Sequence, residues 1–218
     1  MRLEELAGRY PRLYHMAEAD TWPSIRDNGL LSTSAVLDHL EVYGTQREQY
    51  EARHRPTKTT ISGPGLGPII LRDQKPMKPD RLSRALGAAT TPEQWYRLLN
   101  EKVYFWVAEE RLHNLLCARE YSDLEHDVLI IDTASLLMAH AERVWLCHMN
   151  SGTTFPYPTK RGPDAFKRIA DYPTRRSGAP VKAVVEFVVD YSVPDIADHV
   201  VEVRRMKSRE VLRQLDLR

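Results

Sequence analysis

The sequence predicts an α+β protein. Three observations carry that prediction: helical signals concentrate in the first half, strand signals concentrate in the second, and no regular strand–helix–strand alternation runs between them. The 218 residues suit one domain of good size, and no linker or internal repeat divides them, so a single domain spanning 1–218 is expected.

The elements follow in order. Arg2 to Gly8 reads as a short helix stopped by its glycine, and RLYHMA as a strand. DTWPSIRDNGLL is a well-marked helix, with Asp20 as N-cap, Pro23 in the first turn and Gly29 as its stop. TSAVLDHLEVYG reads as a second helix ending at Gly44. A polar stretch through REQYEARHRPTKTT then leads to a Gly/Pro-rich loop, Gly63 to Pro68, and to a short strand PIILRD.

TTPEQWYRLLN carries a capping box, with Thr91 as cap, Pro92 at the first helical position and Gln94 closing the box. KVYFWV is a strand by its β-branched and aromatic content, and AEERLHNLLCAREY an amphipathic helix. DVLIID, RVWLCHMN, VKAVVEFVVDY and HVVEVRRM are strands. TASLLMAH is a helix opened by Asp132 or Thr133, DAFKRIADYP a short helix or turn, and SREVLRQLDLR a closing helix capped by Ser208.

Composition excludes several function classes. Lys plus Arg total 31 against 30 for Asp plus Glu, so overall charge gives no sign of nucleic-acid binding. No apolar run approaches the ~18 residues a membrane span needs, and the opening lacks the apolar stretch of a secretory signal, so a cytoplasmic protein is expected. Cys117 and Cys147 form no CxxC pair and read as free buried thiols. GPGLGP lacks the GK[ST] ending of a phosphate loop. His113, His126, His140 and His148 show no paired-ligand spacing, so no metal is expected.

Glu186 stands out, a carboxylate in the apolar run AVVEFVVD. Such a group costs free energy unless something pairs with it or uses it. Alternation puts Val184, Glu186 and Val188 on one face and Val185, Phe187 and Val189 on the other, which leaves Glu186 either in a buried site or on a solvent face.

Four stretches in order carry a resemblance: LYHMA followed by the TWPSIRDNGLLST helix, VYFWVAEERLHNLL, VWLCHMNSGTTF, and VVEFVVDYSVPDIADHVVEV. Together they resemble the NAD-dependent ADP-ribosyltransferases, closest to the DarT-like DNA ADP-ribosyltransferases. The resemblance implies an ADP-ribosyltransferase-like fold with a split, mainly antiparallel central sheet and flanking helices. It implies NAD as substrate, mono-ADP-ribosyl transfer with a nucleic-acid base as acceptor (DNA favoured), and a bacterial toxin or defence effector role. It names no antitoxin or hydrolase partner.

By the same resemblance, Glu186 is the catalytic carboxylate and His15, beside Tyr14, holds the adenosine ribose. Tyr104 or Trp106 stacks on the nicotinamide, with Phe105 facing the other way. Asn150 and Ser151 reach the substrate from the NSGTTF loop. Of the three arginines in the interval expected to supply the diphosphate contact, Arg53 and Arg55 are favoured over Arg72. Two alternatives stay open. One is a non-catalytic nucleic-acid-binding module using Lys160, Arg161, Lys167, Arg168, Arg175 and Arg176; the other is an RNA 2′-phosphotransferase-like enzyme. The segment RDQKPMKPDRLSRALGAATTPEQWYRLLN matches no part of the DNA-modifying enzymes, and MNSGTT replaces their acceptor-side loop.

Overall fold

A computed structural model describes residues 1–63 and 66–217. Pro64 and Gly65, at the centre of the predicted Gly/Pro-rich loop, lie outside the described residues, as does Arg218 at the end of the predicted closing helix.

The elements run α1 (Leu3–Arg9), β1 (Arg12–Glu18), α2 (Trp22–Asn28), β2 (Leu30–Leu31), α3 (Thr33–His39), α4 (Gly44–Glu51), β3 (Thr59–Gly63), β4 (Leu66–Leu71), α5 (Pro79–Leu86) and α6 (Pro92–Asn100). Then follow β5 (Lys102–Trp106), α7 (Glu109–Leu116), β6 (Glu125–Asp132), α8 (Thr133–His140), β7 (Val144–Cys147), β8 (Phe166–Arg168), β9 (Glu186–Asp190), β10 (Ser192–Val193), β11 (Val200–Lys207) and β12 (Glu210–Leu215). The fold is mixed α+β, built on a large antiparallel sheet with flanking helices.

That sheet has eight strands in the order β12-β11-β6-β1-β5-β9-β7-β8. Its two halves meet at β1 and β5, where one residue pair, Tyr14 with Trp106, makes the junction. By contrast β1 pairs with β6 along its whole length, from Arg12–Asp132 to Glu18–His126. Beyond the Tyr14–Trp106 pair the His15 ring bridges β1 to β5, with Nδ1 2.8 Å from the Tyr104 carbonyl oxygen.

One face of the sheet packs Leu13, Phe105, Leu129, Ile131, Leu146, Phe187 and Val189 against Leu6, Trp22, Leu136 and Leu137 of α1, α2 and α8. The opposite face is divided. Over the β5 half, Val188, Cys147 and Phe166 meet Leu82, Leu86, Trp95, Tyr96 and Leu99 of α5 and α6. Over the β1 half, Met16 and Val128 meet Leu112 and Leu116 of α7. The junction of the sheet therefore lies between two helical layers, and β3 and β4 with α3 pack beside it through Val36, Leu37, Ile61 and Leu71.

Several sequence expectations are met. Thr91 and Gln94 close the capping box of α6, and the Asp132 side chain accepts from the Ser135 amide at the start of α8. Gly29 ends α2 at a φ of +84°, where a Cβ would lie 2.6 Å from Pro194 Cα.

Others are corrected. The first helix runs through Gly8 to Arg9. Asp20 is not the cap of α2; it has a positive φ and pairs with Arg205, while Thr21 holds the cap position. The second predicted helix stops at His39, and Gly44 opens α4 rather than closing α3. α4 carries no apolar stripe. It is held by buried Glu51, whose carboxylate accepts from Arg47, Arg97 and Ser34, a network invisible to periodicity.

DAFKRIADYP forms a 3-10 turn and then β8, paired with β7. The predicted closing helix is β12: Ser208 turns at a φ of +53° and the chain pairs back along the free edge of β11. Sheet completion outweighs the few tenths of a kcal/mol per residue by which helix propensity favours that segment. Cys147 is buried, but Cys117 is exposed. The basic segment is partly consumed by the fold. Arg161 is buried on the Ser151 carbonyl, and the Arg168 guanidinium lies 3.7 Å from the Trp145 ring centre. Among the described residues no helix is long and apolar enough to cross a membrane.

Candidate active site

A cavity of about 420 Å³ opens at the junction of the sheet, within the ~300–1,000 Å³ range of small-molecule sites. Its lining includes Tyr14 and His15 from β1, Leu31, Ser32 and Thr33 before and within α3, Ile70, Leu71 and Arg72 around β4, Tyr104 and Trp106 from β5, Asn150 to Gly152, and Glu186.

Glu186 opens β9, opposite Trp106 on one side and Cys147 on the other. It is 4% exposed, so it does not sit on a solvent face. The predicted alternation holds from Glu186 onward: Val188 joins the α5/α6 layer, and Phe187 and Val189 the opposite core. Val184 departs from it and packs with Phe187, because the regular strand begins only at Glu186.

The two carboxylate oxygens differ. Oε1 accepts the Ser151 amide at 3.0 Å, whereas Oε2 is buried with no hydrogen-bond partner among the described residues. Burial pushes the carboxyl up to about 7, against the hydrogen bonds from Ser151 and the Arg161 charge, which pull it down. A buried acceptor without a donor costs roughly 1–3 kcal/mol, and such a cost is tolerated most readily where the group has a task. The same charge and burial raise the neighbours. Cys147 is pushed up to about 12 by burial and then by Glu186, and the Tyr104 phenol is raised for the same two reasons.

His15 is the second polar feature. A carbonyl only accepts, so the Nδ1 that meets Tyr104 O carries the proton. Burial pushes the imidazole down to about 4, which keeps it neutral at pH 7. Its Nε2 is then a bare acceptor, and no described residue donates to it. The ring is propped against Phe105, centres 5.7 Å apart.

Tyr104 and Trp106 share the Glu186 face, while Phe105 is buried in the opposite core. The Tyr104 hydroxyl donates to Leu99 O at 3.2 Å, which fixes the ring. Asn150 shapes its loop by accepting the Gly152 amide at 3.0 Å, and Ser151 is buried beneath it.

The arginines sort differently from expectation. Arg53 is exposed and does not line the cavity. Arg55 lines it, but its guanidinium is committed to the fold, donating to Tyr50 O, to Arg72 O at 3.1 Å and to Asn100 Oδ1 at 2.9 Å. Arg72 is the third arginine of the interval. It lines the cavity just after β4, lies 4.8 Å from the Tyr121 ring centre, and forms no ion pair with a carboxylate among the described residues. Spacing alone does not separate three arginines in one interval; only the turn of β4 into the cleft does.

The fold also assembles His140, Asp195 and His199, with ligand atoms within 4.8 Å of one another, outside the cavity. Arg143 Nη2 can only donate, so His140 Nδ1 accepts it at 2.7 Å and Nε2 carries the proton given to Asp195 at 2.6 Å. A metal on Nε2 would require Nδ1 to be a donor facing that guanidinium. The cluster is therefore built as hydrogen bonds tying α8 to the segment before β11, completed by Ser135 on His199 at 2.6 Å.

No curated protein matches the chain. Residues 11–200, which include every cavity residue named above, match the model of a family described as "Family of unknown function (DUF7002)", and the chain belongs to that family.

Proposed function

We propose that this protein is an NAD-dependent mono-ADP-ribosyltransferase acting on a nucleic-acid base, on a fold of the ADP-ribosyltransferase type. The observation that carries the reading is the partnerless Oε2 of Glu186, buried in the wall of a cavity that also holds a neutral His15.

The residues suit the substrate. NAD offers ribose hydroxyls, which donate; a diphosphate, which accepts; and a planar pyridinium. His15 Nε2 takes a hydroxyl, the Arg72 guanidinium takes phosphate oxygens, and the fixed Tyr104 ring with Trp106 offers aromatic surface to the pyridinium. Glu186 Oε2 faces the ribose carbon bonded to nicotinamide.

Cleavage sends the bond's electron pair to the pyridinium nitrogen, and nicotinamide leaves neutral. Positive charge grows on the ribose carbon, and a carboxylate in a water-poor wall stabilises it more strongly than one in bulk solvent. The acceptor atom then bonds to that carbon and loses one proton, which Glu186 accepts; a carboxyl near 7 is matched to that exchange.

Replacing His15 by Phe keeps a ring in the junction but removes the Nε2 acceptor, together with the Nδ1 donor to the Tyr104 carbonyl. It is expected to weaken NAD binding by about ten-fold, by titration calorimetry. Incubation with adenylate-labelled NAD and separate pools of DNA, RNA and protein tests the whole reading. Label in a nucleic-acid pool is expected. No nicotinamide release with any pool would overturn it.

A further inference from the structure

We propose that the loop following Ser151 and helix α5 form a stacking platform for a single-stranded nucleic acid at the cavity rim, carried by Phe155 and Tyr157. The inference deepens the reading above and rests on it for what the bound strand then undergoes.

Phe155 and Tyr157 are 69% and 79% exposed, although the segment bearing them is firmly held. The Thr154 amide and hydroxyl both donate to Pro76 O, at 3.0 and 3.1 Å. Arg81 of α5 donates to Pro156 O at 2.9 Å and lies 5.7 Å from the Phe155 ring centre. The Arg161 amide donates to Ala85 O at 2.9 Å, and its guanidinium to Ser151 O at 3.0 Å. The backbone that carries both rings is thus anchored, and the Phe155 ring is set against Arg81, while both rings face water, so a partner that stacks on them orders little further backbone.

The surrounding charge selects the partner. Lys160 lies on this segment, Arg81 and Arg84 on α5 and Lys78 at its N-cap, and none pairs with a carboxylate among the described residues. Asp80 and Asp164 are the acidic residues of the same stretch, and Asp164 is engaged by Lys167. Isolated aromatic faces among unpaired cations suit bases and phosphates; a protein partner would call for a contiguous apolar patch.

The platform adjoins the chemistry. Ser151 donates its amide to Glu186, and only four residues of chain, at most about 14 Å, separate Ser151 from Phe155. Ser151 and Gly152 themselves line the cavity, so the loop that carries the two rings begins in its wall. A duplex presents no free base faces to them.

Fluorescence anisotropy with the full chain, without NAD, tests the inference. The probes are a labelled mixed-sequence single-stranded DNA, the same sequence as RNA, and the DNA duplex. Binding of at least one single strand is expected, at least ten-fold tighter than the duplex. The stronger of the two single strands identifies the acceptor's source. F155A/Y157A is expected to weaken that binding by about a hundred-fold at unchanged melting temperature, since both rings are exposed. K78A/R84A is expected to flatten the salt dependence. Duplex binding as tight as single-strand binding, an unaffected F155A/Y157A variant, or no single-strand binding overturns the platform. A protein that binds the strand but releases no nicotinamide sinks the activity and leaves the platform standing; the reverse result does the opposite.

Discussion

Glu186→Gln abolishes nicotinamide release and at the same time stabilises the fold, increasingly so as pH rises. Both effects come from one negative charge. Gln keeps the shape of Glu and its acceptor for the Ser151 amide but cannot carry charge against the ribose carbon. The loss of turnover is expected on the order of a thousand-fold or more, the scale seen when a single preorganised electrostatic group is removed. Undiminished turnover in this variant would remove Glu186 from the chemistry.

The stability effect has a definite sign. The carboxyl rises from an ordinary 4.5 to about 7 on folding, because burial penalises its charged form. Below about 4.5 it is neutral in both states and costs nothing as a charge. Between 4.5 and 7 the unfolded chain ionises first, and the fold loses stability. Above 7 the penalty is complete, about 3 kcal/mol. The melting temperature of Glu186→Gln should therefore match wild type near pH 4.5 and exceed it by several degrees at pH 8. Wild-type kcat/KM for NAD should rise through about pH 7 as the carboxylate forms.

Arg72→Ala is expected to weaken NAD binding by about a hundred-fold while leaving stability nearly unchanged. The guanidinium makes no ion pair with a carboxylate among the described residues, so its removal strands no buried charge. A diphosphate in the cavity would use its paired donors, so Arg72→Lys should restore only part of the affinity. The neighbouring arginines give the contrast. Arg53→Ala should leave NAD affinity unchanged, since that side chain is exposed away from the cavity. Arg55→Ala should destabilise by roughly 2–4 kcal/mol, because it strands the Tyr50 and Arg72 carbonyls and the Asn100 side chain in the interior. Equal loss of NAD affinity in all three variants would mean that Arg72 has no special place.

What could be read from the sequence was what local chemistry decides. The Thr91 capping box, the Gly29 stop and the β-branched strands need no distant partner to be recognised. Glu186 was visible for the same reason: a carboxylate among valines is anomalous within a few residues of itself. What escaped depends on long-range pairing. β12 becomes a strand because β11 has a free edge. α4 is held by Glu51 through Arg97, forty-six positions away. Arg72 is told apart from exposed Arg53 and internally bonded Arg55 only after β4 has been placed against the cleft, and His199 meets His140 only after β11 closes on β6. α5, in the stretch without a counterpart among the DNA-modifying enzymes, buries Leu82, Ala85 and Leu86 and anchors the aromatic loop.

The most direct test is a crystal structure of Glu186→Gln with NAD bound. The reading predicts the nicotinamide-bearing ribose carbon roughly 3–3.5 Å from the residue 186 side chain, an adenosine ribose hydroxyl on His15 Nε2, and the diphosphate on Arg72. A dinucleotide seated elsewhere, or a cavity that takes up none at millimolar NAD, would contradict it.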